Sequence, residues 1–304
     1  MPLDPQVVSY IAQLQDLGAR PASELPLQTA RSGYDAGAAA LFGPADEVAS
    51  VEELDAAGVP VRVFRPSADD SVSAVVYLHG GGWVVGGPDS HDPLCRTLAA
   101  RSGYTVIAAD YRRAPEHPYP AAIEDAWTVA RWAAERFSRL AVAGDSAGGQ
   151  LAASVALRAR EGGVPLALQA LIYPVTDHPE SASSYGHVGD ATPLNGELMW
   201  WFWSQYLTDA SRAGEPDCSP LRAADLSGLP PALILTAEYD PLRAEGEAYG
   251  ARLREAGVPA TVHRYEGLIH GFIRMPAVLD RASGAIDEVA DAIADALAPA
   301  RRSR

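Results

Sequence analysis

The sequence predicts an α/β fold with a mostly parallel β-sheet and helices on both of its faces. One observation supports this prediction. Short apolar runs of strand length alternate with helical patterns along most of the chain. Strands that are separated by helices generally pair in parallel. The 304 residues, 48% of them hydrophobic, are enough for one large core. We therefore expect a single domain over residues 1–304.

The N-terminal segment predicts one amphipathic helix and then less regular chain. Asp4 followed by Pro5 is typical of a helix start, and Gly18 of a helix end. Residues 20–50 are rich in Ala, Gly and Pro with little periodicity, which predicts irregular or short-helical structure. The helix carries an apolar stripe that needs cover, formed by Val7, Val8, Ile11, Leu14 and Leu17.

Seven apolar runs predict the strands of the sheet. They cover residues 59–64, 74–78, 105–109, 140–143, 168–173, 232–237 and 260–265. Helical patterns at residues 121–136, 149–160 and 245–256 separate several of them. Ligands of such sheets bind outside the carboxyl ends of the strands, so the residues that follow each strand are the candidates for function.

Residues 177–220 interrupt the alternation of strands and helices. They contain the run MWWFWSQYL, in which Met199, Trp200, Trp203 and Tyr206 form an apolar stripe at helical spacing. Such a stripe packs an inserted helix against the domain, and it can also line a substrate pocket, as Trp83 can; neither role excludes the other. We expect this segment and residues 1–50 to form a cap over the strand ends.

Composition excludes several classes of function. The 24 basic and 39 acidic residues give a formal net charge of −15, which disfavours nucleic acid and anionic membrane surfaces as partners. The chain has no lysine, which excludes Schiff-base enzymes, P-loop hydrolases and Ser-x-x-Lys acylases. The start has no basic and apolar leader pattern, and no long apolar run follows. We expect a cytoplasmic protein without membrane insertion.

The run LHGGGWVVGG, residues 78–87, has three consecutive glycines after an apolar strand. Glycine is costly to order unless the backbone must approach a ligand or adopt positive φ. Two phosphate-binding motifs fail here, since Val85 replaces a glycine of the dinucleotide fingerprint and Pro88 replaces the lysine of a P-loop. The loop is therefore predicted to present its backbone N–H groups to something else.

The run LAVAGDSAGGQLAAS places Ser146 in a G-x-S-x-G motif between a strand and a helix. In that context the serine is the candidate nucleophile, because Gly144 and Gly148 let strand and helix approach closely. A helix N-cap serine in a glycine turn is the structural alternative. A nucleophilic serine needs a base and an orienting acid, which follow it along the chain in folds of this type.

Asp240 and His270 follow the last two predicted strands and are the candidate acid and base. Asp177 is the main competing acid, while Glu238 and Asp145 are weaker candidates. The remaining histidines are predicted to have structural roles: His263 lies in a strand, His79 anchors its loop, and four lie on loops with local hydrogen bonds, namely His91, His117, His178 and His187.

The glycine loop now has a predicted use. Attack of Ser146 on a carbonyl develops negative charge on oxygen, and preorganised backbone N–H groups stabilise that charge. Gly81, Gly82 and Ala147 are the candidate donors of such an oxyanion hole. The sequence predicts no metal site and no cofactor. We expect the pair Asp89 and His91 to form a solvated turn, and the two cysteines to be buried thiols.

Five motifs in order resemble the bacterial hormone-sensitive-lipase-like esterases of the α/β-hydrolase fold over nearly the whole chain. They are HGGGW at 79–83, DYRRAPEHPYPA at 110–121, GDSAGG at 144–149, EYDPLRAEG at 238–246 and HGF at 270–272. The resemblance implies an eight-stranded sheet, a helical cap and a carboxylesterase for short to medium acyl esters, without a cofactor. It also implies the triad and oxyanion donors named above, and frequent homodimers formed along the edge of the last strand.

Two residues depart from the pattern of this family: Arg113 stands where leucine is usual, and Ala244 where an acidic residue is common. Neither belongs to the predicted triad. An amidase, lactonase or peptidase would use the same residues. A different class also stays open, because some relatives with this fold are small-molecule receptors that lack the catalytic histidine. The presence of His270 favours an enzyme.

Overall fold

The computed structural model describes residues 2–67, 72–186 and 192–299. Within this part of the chain, eight strands form one sheet in the order β1-β2-β4-β3-β5-β6-β7-β8. Strands β1 and β2 are antiparallel to their neighbours, and every other pair is parallel. The strands are β1 Ser50–Ala56, β2 Val59–Arg65, β3 Ser73–Leu78, β4 Thr105–Ala109, β5 Arg139–Asp145, β6 Leu166–Ile172, β7 Ala232–Tyr239 and β8 Ala260–Ile269.

Eight α-helices cover the sheet or precede it within the described residues. They are α1 Pro5–Asp16, α2 Leu27–Phe42, α3 Pro88–Ser102, α4 Ala121–Ala134, α5 Ala147–Gly162, α6 Gly196–Tyr206, α7 Arg243–Glu255 and α8 Asp280–Leu297. Alternate side chains of one strand enter two different cores: Val76 and Leu78 lie in one, Val75 and Tyr77 in the other. Because both faces of the strands are buried, these strands are apolar runs without polar alternation.

The seven predicted strands are confirmed, with ends that move by a few residues. The eighth, β1, has the sequence SVEELDA, and its outer position in the sheet leaves most of its side chains in contact with solvent. An edge strand of this kind lacks the apolar run by which the others are recognised. The predicted helices at residues 121–136, 149–160 and 245–256 are confirmed as α4, α5 and α7.

The prediction of irregular or short-helical structure for residues 20–50 was wrong over α2, a helix of 16 residues. Its buried face is built from Ala30, Ala38 and Phe42, with spacings that place all three on one side. Gly33 and Gly37 lie where an added Cβ would meet nothing within 4 Å. Packing against α3 supports this helix, so the intrinsic weakness of its glycines does not decide its structure.

The predicted N-terminal helix is confirmed as α1, with the Asp4 side chain accepting a hydrogen bond from the Gln6 N–H at 2.9 Å. Its apolar stripe is covered only in part. Val7 is fully buried, whereas Val8 and Leu17 are among the exposed large hydrophobic residues.

Candidate active site

Ser146 occupies a strained turn between β5 and α5. Its φ and ψ are 57° and −120°, a region that residues with a side chain rarely adopt. The Ser146 N–H donates to Ile172 O at 2.8 Å, which holds the turn against the end of β6. The Ser146 side chain makes no capping hydrogen bond to the helix. Ser146 thus takes the N-cap position of α5 without the side-chain bond of a capping serine. Its role as the nucleophile stays a prediction.

The two glycines of the motif allow backbone to meet backbone. A Cβ on Gly144 would lie 2.3 Å from Gly148 O, and a Cβ on Gly148 would lie 1.9 Å from Leu78 O. Neither carbonyl belongs to a flexible side chain that could move aside. Helix α5 therefore starts in contact with the ends of β3 and β5, and the prediction that glycine is needed for this approach is confirmed.

We expect Gly148→Ala to destabilise the protein by at least about 3 kcal/mol, since the new methyl group must displace a central strand or the helix. Gly37→Ala is the matched control, because it lies in the interior of a helix with nothing within 4 Å of its Cβ position. That change is expected to stabilise the protein by about 0.4–1 kcal/mol. Urea denaturation measures both, and equal midpoints for the two variants would contradict the close approach.

The carboxyl ends of β7 and β8 bring the predicted acid and base to Ser146. His270 Nδ1 lies 2.7 Å from Asp240 Oδ2, and His270 Nε2 lies 2.9 Å from Ser146 Oγ. The second oxygen of Asp240 accepts from the Leu242 N–H at 2.8 Å. Asp240 is 1% exposed, and each of its carboxylate oxygens has a hydrogen-bond partner, so the carboxylate is held in one orientation. The three side chains form a continuous chain of hydrogen bonds.

Tyr173 was missed by sequence reasoning. Its ring lies 4.4 Å from the imidazole of His270, and the residue has a positive φ of 37°. The ring also packs edge-on against Phe272, so it forms a rigid wall beside the imidazole. Its position directly after β6 was the available signal, since every strand end contributes to the same edge of the sheet.

The competing acids have other partners. Asp177 pairs with Arg222 on the protein surface, and Glu238 accepts from the Gly267 N–H at 2.7 Å. Of the other histidines, His263 lies in β8 and pairs with Glu288 at 2.8 Å, as a structural residue would. His117 and His178 lie on loops, and His187 lies outside the described residues.

The carbonyl groups of Gly80 and Gly81 accept hydrogen bonds within the glycine loop, and these bonds fix the orientation of the two peptide units. His79 Nδ1 lies 2.8 Å from Gly80 O, and Gly81 O accepts from the N–H groups of Val84 and Val85 at 3.1 and 2.9 Å. In a trans peptide the N–H points away from the carbonyl. The N–H groups of Gly81 and Gly82 are thereby turned to the opposite side of the loop.

None of the described residues accepts a hydrogen bond from the backbone N–H groups of Gly81, Gly82 or Ala147. Gly81 and Gly82 have φ of 120° and 58°, which a side chain would strain. Ala147 is the first residue of α5, where the helix dipole favours negative charge. These three donors are the groups that the sequence predicted for an oxyanion hole, and their assignment stays a prediction.

The anchoring role of His79 is confirmed by its contact with Gly80 O and by its ring, which stacks on Tyr111 at 4.1 Å. The Tyr111 hydroxyl donates to His79 O at 2.7 Å. Burial lowers the pKa of His79 to about 3, so the ring is neutral in the folded protein at ordinary pH. His79 and Tyr111 together brace the start of the glycine loop.

The prediction that Asp89 and His91 form a solvated turn was wrong, and so was the placement of His91 on a loop. Both residues lie in the first turn of α3. Asp89 is exposed and pairs with Arg62 at 2.8 Å. His91 is 0% exposed and lies 3.1 Å from the carboxylate of Asp145. The polar pattern of the sequence does not show this burial, because the partner of His91 is 54 residues away.

The predicted pocket residues fall into two environments. Trp83 stacks on Tyr206 at 4.2 Å and lies 4.5 Å from Trp203, and all three are almost fully buried. Trp200 is 37% exposed and lies next to His178. The first three pack α6 against the glycine loop. A role of any of the four in lining a substrate pocket stays a prediction.

Arg31 of α2 is a further residue that the sequence analysis missed. It donates to the carbonyl groups of Val84 and Ala114 at 2.8 and 3.0 Å, and it makes two hydrogen bonds of 2.7 Å to Glu116. This pairing lowers the pKa of Glu116 to about 2. Arg113, the departure from the family pattern, donates to Gly86 O at the other end of the same loop.

Among the residues that the structure describes, no three His, Cys, Asp or Glu side chains are placed to hold a metal ion. Cys95 and Cys218 are buried free thiols, as predicted, and burial raises the pKa of Cys218 to about 12. No helix in the described ranges combines the length and apolar character needed to cross a membrane.

Comparisons with known proteins identify relatives of this chain. Residues 75–274 match a family model described as alpha/beta hydrolase fold. The chain is 37% identical to the ethyl acetate hydrolase of Pseudomonas putida, with 96% of this chain and 99% of the relative covered. It is 32% identical to the arylesterase of Saccharolobus solfataricus, with 91% and 94% covered.

A solved structure, the hyperthermophilic esterase from the archaeon Pyrobaculum calidifontis, superposes with a TM-score of 0.90. Its sequence is 39% identical, and the alignment covers 98% of this chain and all of that one. The matched family segment contains the glycine loop, Ser146, Asp240 and His270. The chain therefore belongs to the hormone-sensitive-lipase-like carboxylic ester hydrolases of the α/β-hydrolase fold.

Proposed function

We propose that this protein hydrolyses esters of short to medium acyl chains through an acyl-enzyme formed on Ser146. The observation that carries the proposal is the contact chain from Ser146 Oγ through His270 to Asp240, at 2.9 and 2.7 Å. The backbone N–H groups of Gly81, Gly82 and Ala147, for which the described residues offer no acceptor, are the proposed oxyanion donors. A nucleophile, a base and an oriented acid next to such donors are the arrangement that acyl transfer requires.

In the first step, Ser146 Oγ attacks the ester carbonyl carbon while His270 Nε2 takes its proton. The carbonyl oxygen becomes negative and accepts from the N–H groups of Gly81, Gly82 and Ala147. Asp240 keeps the imidazole in the tautomer with its proton on Nδ1 and stabilises the cation that forms. His270 then protonates the leaving alcohol, and the acyl group stays on Oγ.

In the second step, water enters the place of the alcohol and attacks the acyl carbon. His270 Nε2 takes a proton from the water, and the same backbone donors stabilise the second oxyanion. Collapse of this intermediate breaks the bond to Ser146 Oγ and releases the acid. The proton on His270 returns to Oγ, so the enzyme is regenerated.

The cap belongs to the same proposal, with residues 1–50 and 177–220 as its parts. Its support is the contact that each part makes with the glycine loop. Arg31 of α2 donates to Val84 O, and a Cβ on Gly82 would lie 2.2 Å from the Phe202 ring of α6. The aromatic side chains of α6, including Trp200, Trp203 and Tyr206, are the proposed wall of an apolar acyl site.

The proposal also includes pairing of two copies along β8, which the family resemblance implies. This strand lies at one end of the sheet order, and its first residues are partly exposed. An edge strand offers unpaired backbone groups to a second chain.

A series of p-nitrophenyl esters from acetate to laurate tests the proposed reaction. We expect kcat/KM to be highest for the short and medium chains and to fall for laurate, because a closed aromatic wall limits the depth of the acyl site. A fluorophosphonate should label the protein at one serine, Ser146, identified by peptide mass. A folded protein that neither hydrolyses these esters nor reacts with the fluorophosphonate would contradict the proposal and favour a binding protein.

A further inference from the structure

We propose that His91 is a positioning residue for the glycine loop. It acts through Asp145 to hold the backbone that precedes Gly81. The inference rests on the proposed function, since it concerns the donors assigned to the oxyanion. His91 lies outside the predicted triad and does not touch its side chains among the contacts described. Its interactions connect the first turn of α3 with the two motifs that carry the chemistry.

Asp145 is the residue through which His91 acts. It directly precedes Ser146, and its buried Oδ1 accepts from the Gly80 N–H and from the Tyr77 hydroxyl, both at 2.9 Å. A Cβ on Gly80 would lie 2.4 Å from Asp145 Oδ2, so this loop residue is seated directly against the carboxylate. One carboxylate thus joins the nucleophile turn to the start of the glycine loop.

Asp145 needs further donors to stay charged in this environment. Burial acts to raise the pKa of Asp145, but His91 and the other neighbours outweigh it and hold the pKa below its ordinary value. A buried carboxylate with a missing donor would be destabilised by several kcal/mol. His91 Nε2 lies 3.1 Å from Asp145 Oδ1 and can donate to it. This donor belongs to α3, and not to the glycine loop or to the turn that holds Ser146.

The ring of His91 is itself held in one orientation. Its Nδ1 lies 2.9 Å from the Ser90 hydroxyl. Burial lowers the pKa of His91, which favours the neutral ring. In a neutral ring only one nitrogen carries a proton. With that proton on Nε2, the ring donates to Asp145. Its Nδ1 then faces the Ser90 hydroxyl, which also donates to Gly87 O at 2.9 Å.

Ser90 and His91 hold the two ends of the glycine loop. The Gly87 N–H donates to Ser90 Oγ at 3.0 Å, while Gly80 is held by the carboxylate that His91 contacts. The donors Gly81 and Gly82 lie between these fixed ends. A shift of the Gly80 end would rotate the following peptides and misalign the donors with the oxyanion. Such a fault weakens binding of the transition state more than binding of the ester.

The test compares His91→Leu with His91→Gln. Leucine removes the donor, whereas the side-chain amide of glutamine can place an N–H near the position of Nε2. Removing one oxyanion donor costs about 10²–10³-fold in kcat, and we expect a smaller effect from misalignment, about 10–50-fold in His91→Leu with KM within about twofold. His91→Gln should recover most of the lost kcat.

An aliphatic trifluoromethyl ketone gives the readout that a loss of stability alone would not move. It forms a tetrahedral adduct with the serine, whose oxyanion occupies the hole, so its inhibition constant should rise by about the same factor as kcat falls. Leu98→Ala is the matched control, because it removes buried apolar contact from the same helix without touching the loop. Its kcat and inhibition constant should stay near those of the wild type.

The outcomes separate the inference from the proposed function. If His91→Leu keeps the kcat and the inhibition constant of Leu98→Ala, or if His91→Gln is no better than His91→Leu, the positioning role is overturned. If His91→Leu does not fold, Ser90→Ala decides by the same two measurements. We expect its kcat to fall about 3–10-fold, because the imidazole of His91 then loses the hydroxyl that orients it. A wild-type protein that hydrolyses no ester and is not inhibited by the ketone would instead contradict the proposed function.

Discussion

Ser146→Ala is expected to lower kcat for p-nitrophenyl acetate by about 10⁵–10⁶-fold while the protein stays folded. The removed oxygen is the atom that lies 2.9 Å from His270 Nε2. Alanine offers no oxygen that could attack the ester in its place. Stability should change little, because the serine side chain makes no capping hydrogen bond. Alanine also tolerates the positive φ of this turn no worse than serine does.

Ser154→Ala is the control for this variant. Ser154 is a buried serine in α5, the helix that follows Ser146, and its hydroxyl donates to Asp217 O at 3.1 Å, away from the triad. We expect this variant to keep wild-type kcat and to lose about 1 kcal/mol of stability. Steady-state rates and thermal unfolding measure both effects. Unchanged turnover in Ser146→Ala, or equal loss in the two variants, would refute Ser146 as the nucleophile.

The parts of the site that the sequence could predict are those set by local rules. A glycine two residues on either side of Ser146 matters because strand and helix meet there, and this contact lies within one short turn. Asp240 and His270 could be placed because each directly follows a strand of a parallel sheet, which brings distant residues to one edge. Chain order and fold class led to these candidates, and the structure brings their side chains into contact with Ser146 or His270. Their catalytic roles stay proposals.

The parts that the sequence could not predict depend on contacts between distant residues. His91 lies between Pro88 and Pro93, a pattern typical of a turn, yet it lies in a helix and is buried against Asp145. Helix α2 has weak helical signals and is formed because its small buried face packs on α3. In both cases the local signal is overruled by tertiary packing, which a single sequence does not display.

The second large effect on kcat is expected from replacing Asp240, the proposed acid of the triad. Asp240→Asn is expected to lower kcat by about 10⁴-fold, the loss typical of serine hydrolases whose triad acid is made neutral. Oδ2 of Asp240 accepts from His270 Nδ1 at 2.7 Å, while Oδ1 accepts from the Leu242 N–H at 2.8 Å. An asparagine that keeps the second bond must turn its NH₂ group toward Nδ1. The imidazole then carries its proton on Nε2 and cannot accept the proton of Ser146.

Asp177→Asn is the matched control, since Asp177 was the main competing acid and pairs with Arg222 at the surface. An exposed pair of this kind contributes about 0–1 kcal/mol, so kcat should stay within about twofold of the wild type. Steady-state kinetics on p-nitrophenyl butyrate measure both variants. Because each change replaces one carboxylate with an amide after adjacent strands, only their contacts differ. A large loss in Asp177→Asn with little loss in Asp240→Asn would transfer the role of the acid to the loop that follows β6.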